Sequence, residues 1–154
     1  VAATLYWAGE QVRRRVWGSL PAGDAERMYR EHVALATSLG VPAEHWPRDR
    51  AAFTAYWDAH IAGLDVTEDA RTIAADLFSG QGLPVPLRAV LPAARLLTAG
   101  LLPARVRAGL GWAWDGRASR REARVWAAVV PVYRRLPAAV QGSVARWILH
   151  TLRD

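Results

Sequence analysis

The sequence reads as all-α: one domain, an irregular bundle of seven or eight helices. Apolar residues recur at three- and four-residue spacing, and strict alternation is rare. The Asn-Gly and Asp-Gly turns that join alternating strands are missing. Asp115-Gly116 lies instead between Trp114 and an Arg-rich helix start. With 154 residues, 52% apolar and 22% charged, the chain has globular composition and enough length for one sizeable core, which excludes disorder.

The first helix is expected over about Ala2 to Trp17, with Leu5, Val12 and Val16 on one face and Gly18 and Pro21 ending it. A second starts near Asp24, with Glu26 in its first turn, where the helix dipole favours a carboxylate. Met28, His32, Leu35 and Leu39 form its inward stripe. Gly40 supplies a left-handed cap and Pro42 forbids continuation. Residues 42–47 connect to a third helix, Asp49 to Ala62, with Phe53, Tyr56, Trp57 and His60 on one side. Thr67 caps a fourth, whose stripe is Ile73 and Leu77, with Glu68 and Asp69 in its first turn.

Gly80, Gly82, Pro84 and Pro86 make a loop. A helix over about 87–100 follows, with Pro92 kinking it or seated in its first turn. Pro103 to Leu110 is one short helix. Ser119-x-x-Glu122 has the form of a capping box, which places a helix from Arg120 to Arg135 with a kink at Pro131. A last helix begins near Pro137, with Val140, Val144, Trp147 and Ile148 inward. The most apolar stretch, Leu83 to Ala104, is broken by Arg88, Arg95 and prolines, so no transmembrane span is expected. No signal peptide is seen either, and the cytoplasm is the favoured compartment.

The absence of cysteine excludes a disulfide framework, a zinc ribbon and a thiol nucleophile. All 20 basic residues are arginine. Residues 1–80 carry net charge −3 and residues 81–154 carry +9, an asymmetry that suggests an anionic partner or an acidic segment elsewhere in the protein. Arg13-Arg14-Arg15 and the Arg117, Arg120, Arg121, Arg124 group read as solvated helix faces. Nucleic acid is disfavoured because the aromatics fall on inward stripes. Trp7, Trp57, Trp126 and Trp147 are expected in the core, and Trp112 and Trp114 in a loop, a docking surface if exposed.

Catalytic motifs are sparse. No pair among His32, His45, His60 and His150 has the spacing of a zinc site, and no Gly-x-Ser-x-Gly occurs. Gly80-Gln81-Gly82 and Gly109-Leu110-Gly111 are turns, not phosphate loops. His32 and His60 lie on expected apolar faces, where a neutral imidazole can ligate haem iron, though a hydrogen-bonded core histidine is the commoner use. His45 is expected at the surface, and His150 meets the dipole of a helix C-terminus.

The order of motifs does resemble a family. Val1-Ala2-Ala3-Thr4-Leu5 is similar to the end of a Trp-Val-x-Ala-Thr-Leu stretch. Asp24-Ala25-Glu26-Arg27-Met28-Tyr29-Arg30-Glu31 is similar to an acidic-Ala-Glu-Arg-x-x-Tyr-x-Glu helix. Leu39-Gly40-Val41-Pro42, Trp46-Pro47, Phe53, Tyr56, Val66-Thr67, Ala70-Arg71, Leu101-Leu102-Pro103, Arg107 and Leu110-Gly111 follow in order. The succession resembles the MpaB-like oxygenases, which include the rubber oxygenase (latex-clearing) proteins.

The resemblance implies a C-terminal portion of a larger helical haem-binding domain that oxygenates apolar, prenyl or polyisoprene-like substrates. It implies haem b for the full-length family and none for this chain alone, since the family's Arg-x-x-His ligand stretch lies upstream of the first motif. Family members often place His where this chain has Ala2. The resemblance assigns Ala2 and Thr4 to the wall of the haem pocket and assigns no catalytic residue or metal ligand. It implies an oxidoreductase fragment or truncated relative, inactive alone, whose partners are the missing N-terminal part of the domain and an apolar small molecule. The alternative is a helical interaction or membrane-surface module that uses the basic C-terminal half on an anionic membrane.

Overall fold

In the computed structural model, residues 1–137 are described. They form α1 (Ala2–Trp17), α2 (Ala22–Ser38), a 3-10 turn (Ala43–His45), α3 (Arg50–Gly63), α4 (Glu68–Leu77), α5 (Val85–Arg88), α6 (Leu91–Leu101), α7 (Ala104–Gly109) and α8 (Gly116–Arg135). No strand occurs among the described residues, so the all-α reading holds. The expected last helix, with Val140, Val144, Trp147, Ile148 and His150, lies outside the described residues.

Local chemistry sets the helix starts and stops. Asp49 caps α3, its carboxylate accepting the Ala52 N–H at 2.7 Å. The Thr67 hydroxyl accepts the Ala70 N–H at the start of α4. Gly40, at φ 84°, takes the left-handed conformation that closes α2. Two starts differ from expectation. The helix expected over 87–100 is two helices, α5 and α6, with Pro92 in the first turn of α6, where its missing N–H costs nothing. Ser119-x-x-Glu122 is not a capping box. Asp115 caps α8 four residues earlier, accepting the Ala118 N–H at 2.7 Å, and its carboxyl is held below its usual range by that bond. Glu122 is thereby free for a tertiary contact.

α1 and α2 pack antiparallel. The Tyr6 ring lies 5.1 Å from both Tyr29 and His32, while Glu10 and Glu26 both reach Arg50. The core is aromatic: Ala2, Tyr6, Tyr29, Ala36, Trp46, Phe53 and Trp57 are buried together. Edge-to-face and stacked pairs fill it, including Tyr6–Phe53 at 4.6 Å and Trp7–Trp57 at 4.9 Å.

Phe53 and Trp57 of α3 and Val16 of α1 are buried as expected, but the inward faces of α1 and α2 are otherwise rotated from those expected. On α1 the buried stripe is Ala2, Tyr6, Glu10 and Val16, and Leu5 is half exposed. On α2 it is Ala25, Tyr29 and Ala36, leaving Leu35 and Leu39 exposed. Small alanines let the helices approach, and tyrosine fills the space with a ring whose hydroxyl has a backbone partner. Ile73 and Leu77 of α4 are exposed rather than inward.

Among the described residues the most extensive helix pairing is α6 on α8. It closes at Gly100, where a Cβ would sit 2.6 Å from Glu122 Oε1. Arg15 joins α1 to this pair, donating to the Gly100 carbonyl at 3.1 Å and meeting Glu122 at 3.0 Å. The Trp126 indole N–H donates to the same carboxylate at 2.8 Å.

Candidate functional site

The best-built polar arrangement lies on the inner face of α1. Glu10 is buried, and its carboxylate accepts two hydrogen bonds from Arg13, at 2.9 and 3.0 Å, with Arg50 at 3.6 Å. A carboxylate this far inside requires such partners. The hydrogen bonds to Glu10 also raise the Arg13 guanidinium above its ordinary value. One turn away, burial pushes the Tyr6 phenol up, an effect the Arg50 guanidinium partly offsets. Burial likewise raises Tyr29, whose hydroxyl donates to the Pro47 carbonyl at 2.5 Å. Both phenols are therefore neutral hydrogen-bonding groups at ordinary pH, and neither is a ready base. The cluster has no exposed nucleophile. Its chemistry is that of a scaffold: it fixes α1, α2 and α3 in register.

Sequence reasoning passed over Glu10, because it treats a charged side chain as solvated. The Glu10-x-x-Arg13 spacing, one helical turn, was the available signal. It also read Arg13-Arg14-Arg15 as a solvated face. Only Arg14 is exposed, since Arg13 and Arg15 each join a carboxylate with limited exposure.

The expected site residues separate. Ala2 is buried in the aromatic cluster. Thr4 is exposed, and its hydroxyl donates to the Val1 carbonyl at 2.6 Å. His32 is half-buried against Tyr6, and its Nδ1 lies 2.9 Å from the Met28 carbonyl. A carbonyl only accepts, so Nδ1 carries the proton. His60 is exposed, not on an apolar face, and its Nδ1 donates in the same way to the Tyr56 carbonyl at 2.8 Å. His45 is exposed in the 3-10 turn, as expected. Trp7 and Trp126 are half-buried, Trp57 is buried, and Trp147 lies outside the described residues. Trp112 and Trp114 are half-buried and covered, Trp112 by Arg95 at 5.1 Å and Trp114 by Arg107 at 4.4 Å, which removes them as projecting docking tips.

These residues do not fit a haem. Its iron needs an imidazole, thiolate or phenolate facing an apolar slot, and the buried phenols of Tyr6 and Tyr29 are held neutral. His32 instead lies half-buried with its ring 5.1 Å from that of Tyr6, and the other described histidines lie on the surface. None of the described surface grooves along α4–α8 has a histidine in its lining. No group of three or more His, Cys, Asp or Glu that could hold a metal occurs among the described residues. Among them too, no helix is long and apolar enough to cross a membrane.

Residues 1–135 match the family described as ER-bound oxygenase mpaB/B'/rubber oxygenase, catalytic domain. Uncharacterized proteins of Mycobacterium bovis and Mycobacterium tuberculosis are each 34% identical over 122 residues, covering 79% of this chain and 48% of theirs. The chain thus spans about half the length of the curated relatives it matches. No solved structure matches it.

Proposed function

The chain belongs to the ER-bound oxygenase mpaB/B'/rubber oxygenase catalytic-domain family, and from that premise we propose that it forms the helical wall of an oxygenase-type catalytic domain, not its oxidising centre. In this reading haem b is held by protein outside these residues. The wall backs an apolar, prenyl or polyisoprene-like substrate, and the chain alone is inactive. Ala2 belongs to the wall from its inner side, and Thr4 with Leu5 from its outer side.

The observation that carries the reading is the uncovered end of the α1/α2 hairpin. The N-terminal part of α1 lies beside the C-terminal part of α2 there, and Leu5, Leu35 and Leu39 are 50%, 46% and 49% exposed. Single exposed leucines are ordinary. Three at one end of a helix pair, beside a buried aromatic core, offer exposed apolar area suited to an apolar neighbour. Coverage of only 48% of the mycobacterial relatives supports a neighbour from the same protein.

Haemin titration of the chain tests this. A weak, diffuse absorbance change without stoichiometric endpoint is expected. A sharp one-to-one Soret band overturns the reading. If that band persists in His32→Ala, His60→Ala and the double variant, the ligand is another residue of this chain. If one substitution abolishes it, that histidine is the ligand.

A further inference from the structure

We propose that the first two turns of α8 and the adjoining groove on α6 form a docking face for an anionic lipid bilayer. Arg117, Arg120, Arg121 and Arg124 stand at i, i+3, i+4 and i+7, one face of α8, and all four are exposed. Together they line a groove of about 310 Å³. No side-chain hydrogen bond or ion pair joins any of them to another described residue. The two acids on this stretch do not neutralise the face. Asp115 is spent on the helix cap, with Arg120 nearby, and Glu122 is turned towards Arg15 and Trp126.

Physical chemistry makes this placement costly for an isolated helix. Cations at a helix N-terminus oppose the dipole, and like charges three and four residues apart repel. Four arginines here destabilise α8 unless an anion meets them. Basic residues on helix ends are usually found at the other terminus, as Arg134 and Arg135 are.

The neighbouring surface selects the anion. Arg121 and Arg124 also border a groove of about 470 Å³ whose other walls are Pro92, Ala93, Leu96 and Val125. The segment leading into it carries exposed Val85, Leu87 and Val90. Arginines beside an apolar trough match phosphate headgroups with acyl chains beneath them. A nucleic acid would match the arginines and leave the trough unused, since its partners are basic residues with stacking aromatics. The face uses none of the residues at the α1/α2 end, so this inference stands independently of the wall reading.

Sedimentation of the full chain with phosphatidylcholine vesicles, with and without phosphatidylglycerol, tests it. Binding is expected only with the anionic lipid, weakening as salt rises. Arg117→Gln/Arg121→Gln/Arg124→Gln should lower the partition constant by roughly a hundredfold, at about fivefold per arginine near an anionic surface. Its thermal midpoint should be unchanged or higher, since repulsion on α8 is relieved. Arg14→Gln/Arg27→Gln/Arg30→Gln, an equal loss of charge from α1 and α2, should bind like wild type. Leu96→Asp should weaken binding at unchanged arginine content. Inorganic phosphate at modest concentration should not compete.

The proposal is overturned by failure to sediment with anionic vesicles at low salt, or by equal losses in the two triple variants. It is overturned by a lowered thermal midpoint in the α8 variant, which would make these arginines structural. Competition by free phosphate would make the site one for a soluble anion. Tighter binding of duplex DNA than of vesicles would make it a nucleic-acid face.

Discussion

Gly100→Ala should destabilise the protein, against the ordinary rule for helices. Replacing a helical glycine by alanine normally stabilises by up to about 1 kcal/mol. At Gly100 the added Cβ would lie 2.6 Å from Glu122 Oε1 and 2.8 Å from its Cγ and Cδ. Three atoms of one side chain stand in the way, so rotating the carboxylate alone does not clear it. Glu122 must withdraw, breaking its 3.0 Å contact with Arg15 and its 2.8 Å bond from Trp126. The Glu122 side chain is only 12% exposed, so water does not replace those partners freely. Overpacking costs about 1–3 kcal/mol and a hydrogen bond to a charged group about 1.5–3 kcal/mol. After the propensity gain, a net loss of about 1.5–5 kcal/mol remains, or roughly 3–20 °C in thermal midpoint for a chain of this size. Circular dichroism melts read this directly. A cycle with Glu122→Ala isolates the cause: in that background Gly100→Ala should become neutral or stabilising. A midpoint at or above wild type for Gly100→Ala alone would refute the close approach of α6 and α8.

Further outcomes follow from the α1–α3 core. Glu10→Ala should cost about 2–4 kcal/mol, because it leaves Arg13 and Arg50 facing a largely buried gap, and a loss of unfolding free energy in urea below about 0.4 kcal/mol would show the cluster to be solvated. Tyr29→Phe should cost about 1–3 kcal/mol by leaving the Pro47 carbonyl without its donor, and an unchanged melt would contradict that bond. Tyr6 and Tyr29 both have raised folded-state values, so the unfolded chain loses these protons first. Stability should be intact below the ordinary phenol range and fall as pH climbs past about 10. Tyr29→Phe should blunt that alkaline loss, and a flat midpoint across the range would contradict buried phenols.

Legibility in the sequence followed the range of each interaction. Punctuation is local, so Asp49, Thr67, Gly40 and the prolines at 92 and 103 mark element ends that one stretch of chain decides. Facing is tertiary, and there periodicity misled. Leu35 and Leu39 outweigh Ala25 and Ala36 in any hydrophobic count, yet it is the alanines that are buried, because Tyr29 needs a close neighbour helix. Ser119 and Glu122 have capping spacing, but Asp115 competes for the same turn, and Arg15, distant in sequence, claims Glu122. The family resemblance was readable as an order of short motifs, and the match over residues 1–135 agrees with it. The Glu10–Arg13–Arg50 cluster was half visible, since Arg50 comes from another helix.

Haem content of the chain purified from cells supplied with a haem precursor most directly tests the division between wall and oxidising centre. A folded, helical protein with only trace pyridine haemochrome is the expected result. A near-stoichiometric haemochrome signal in the same folded protein would contradict it, placing the iron site among these residues.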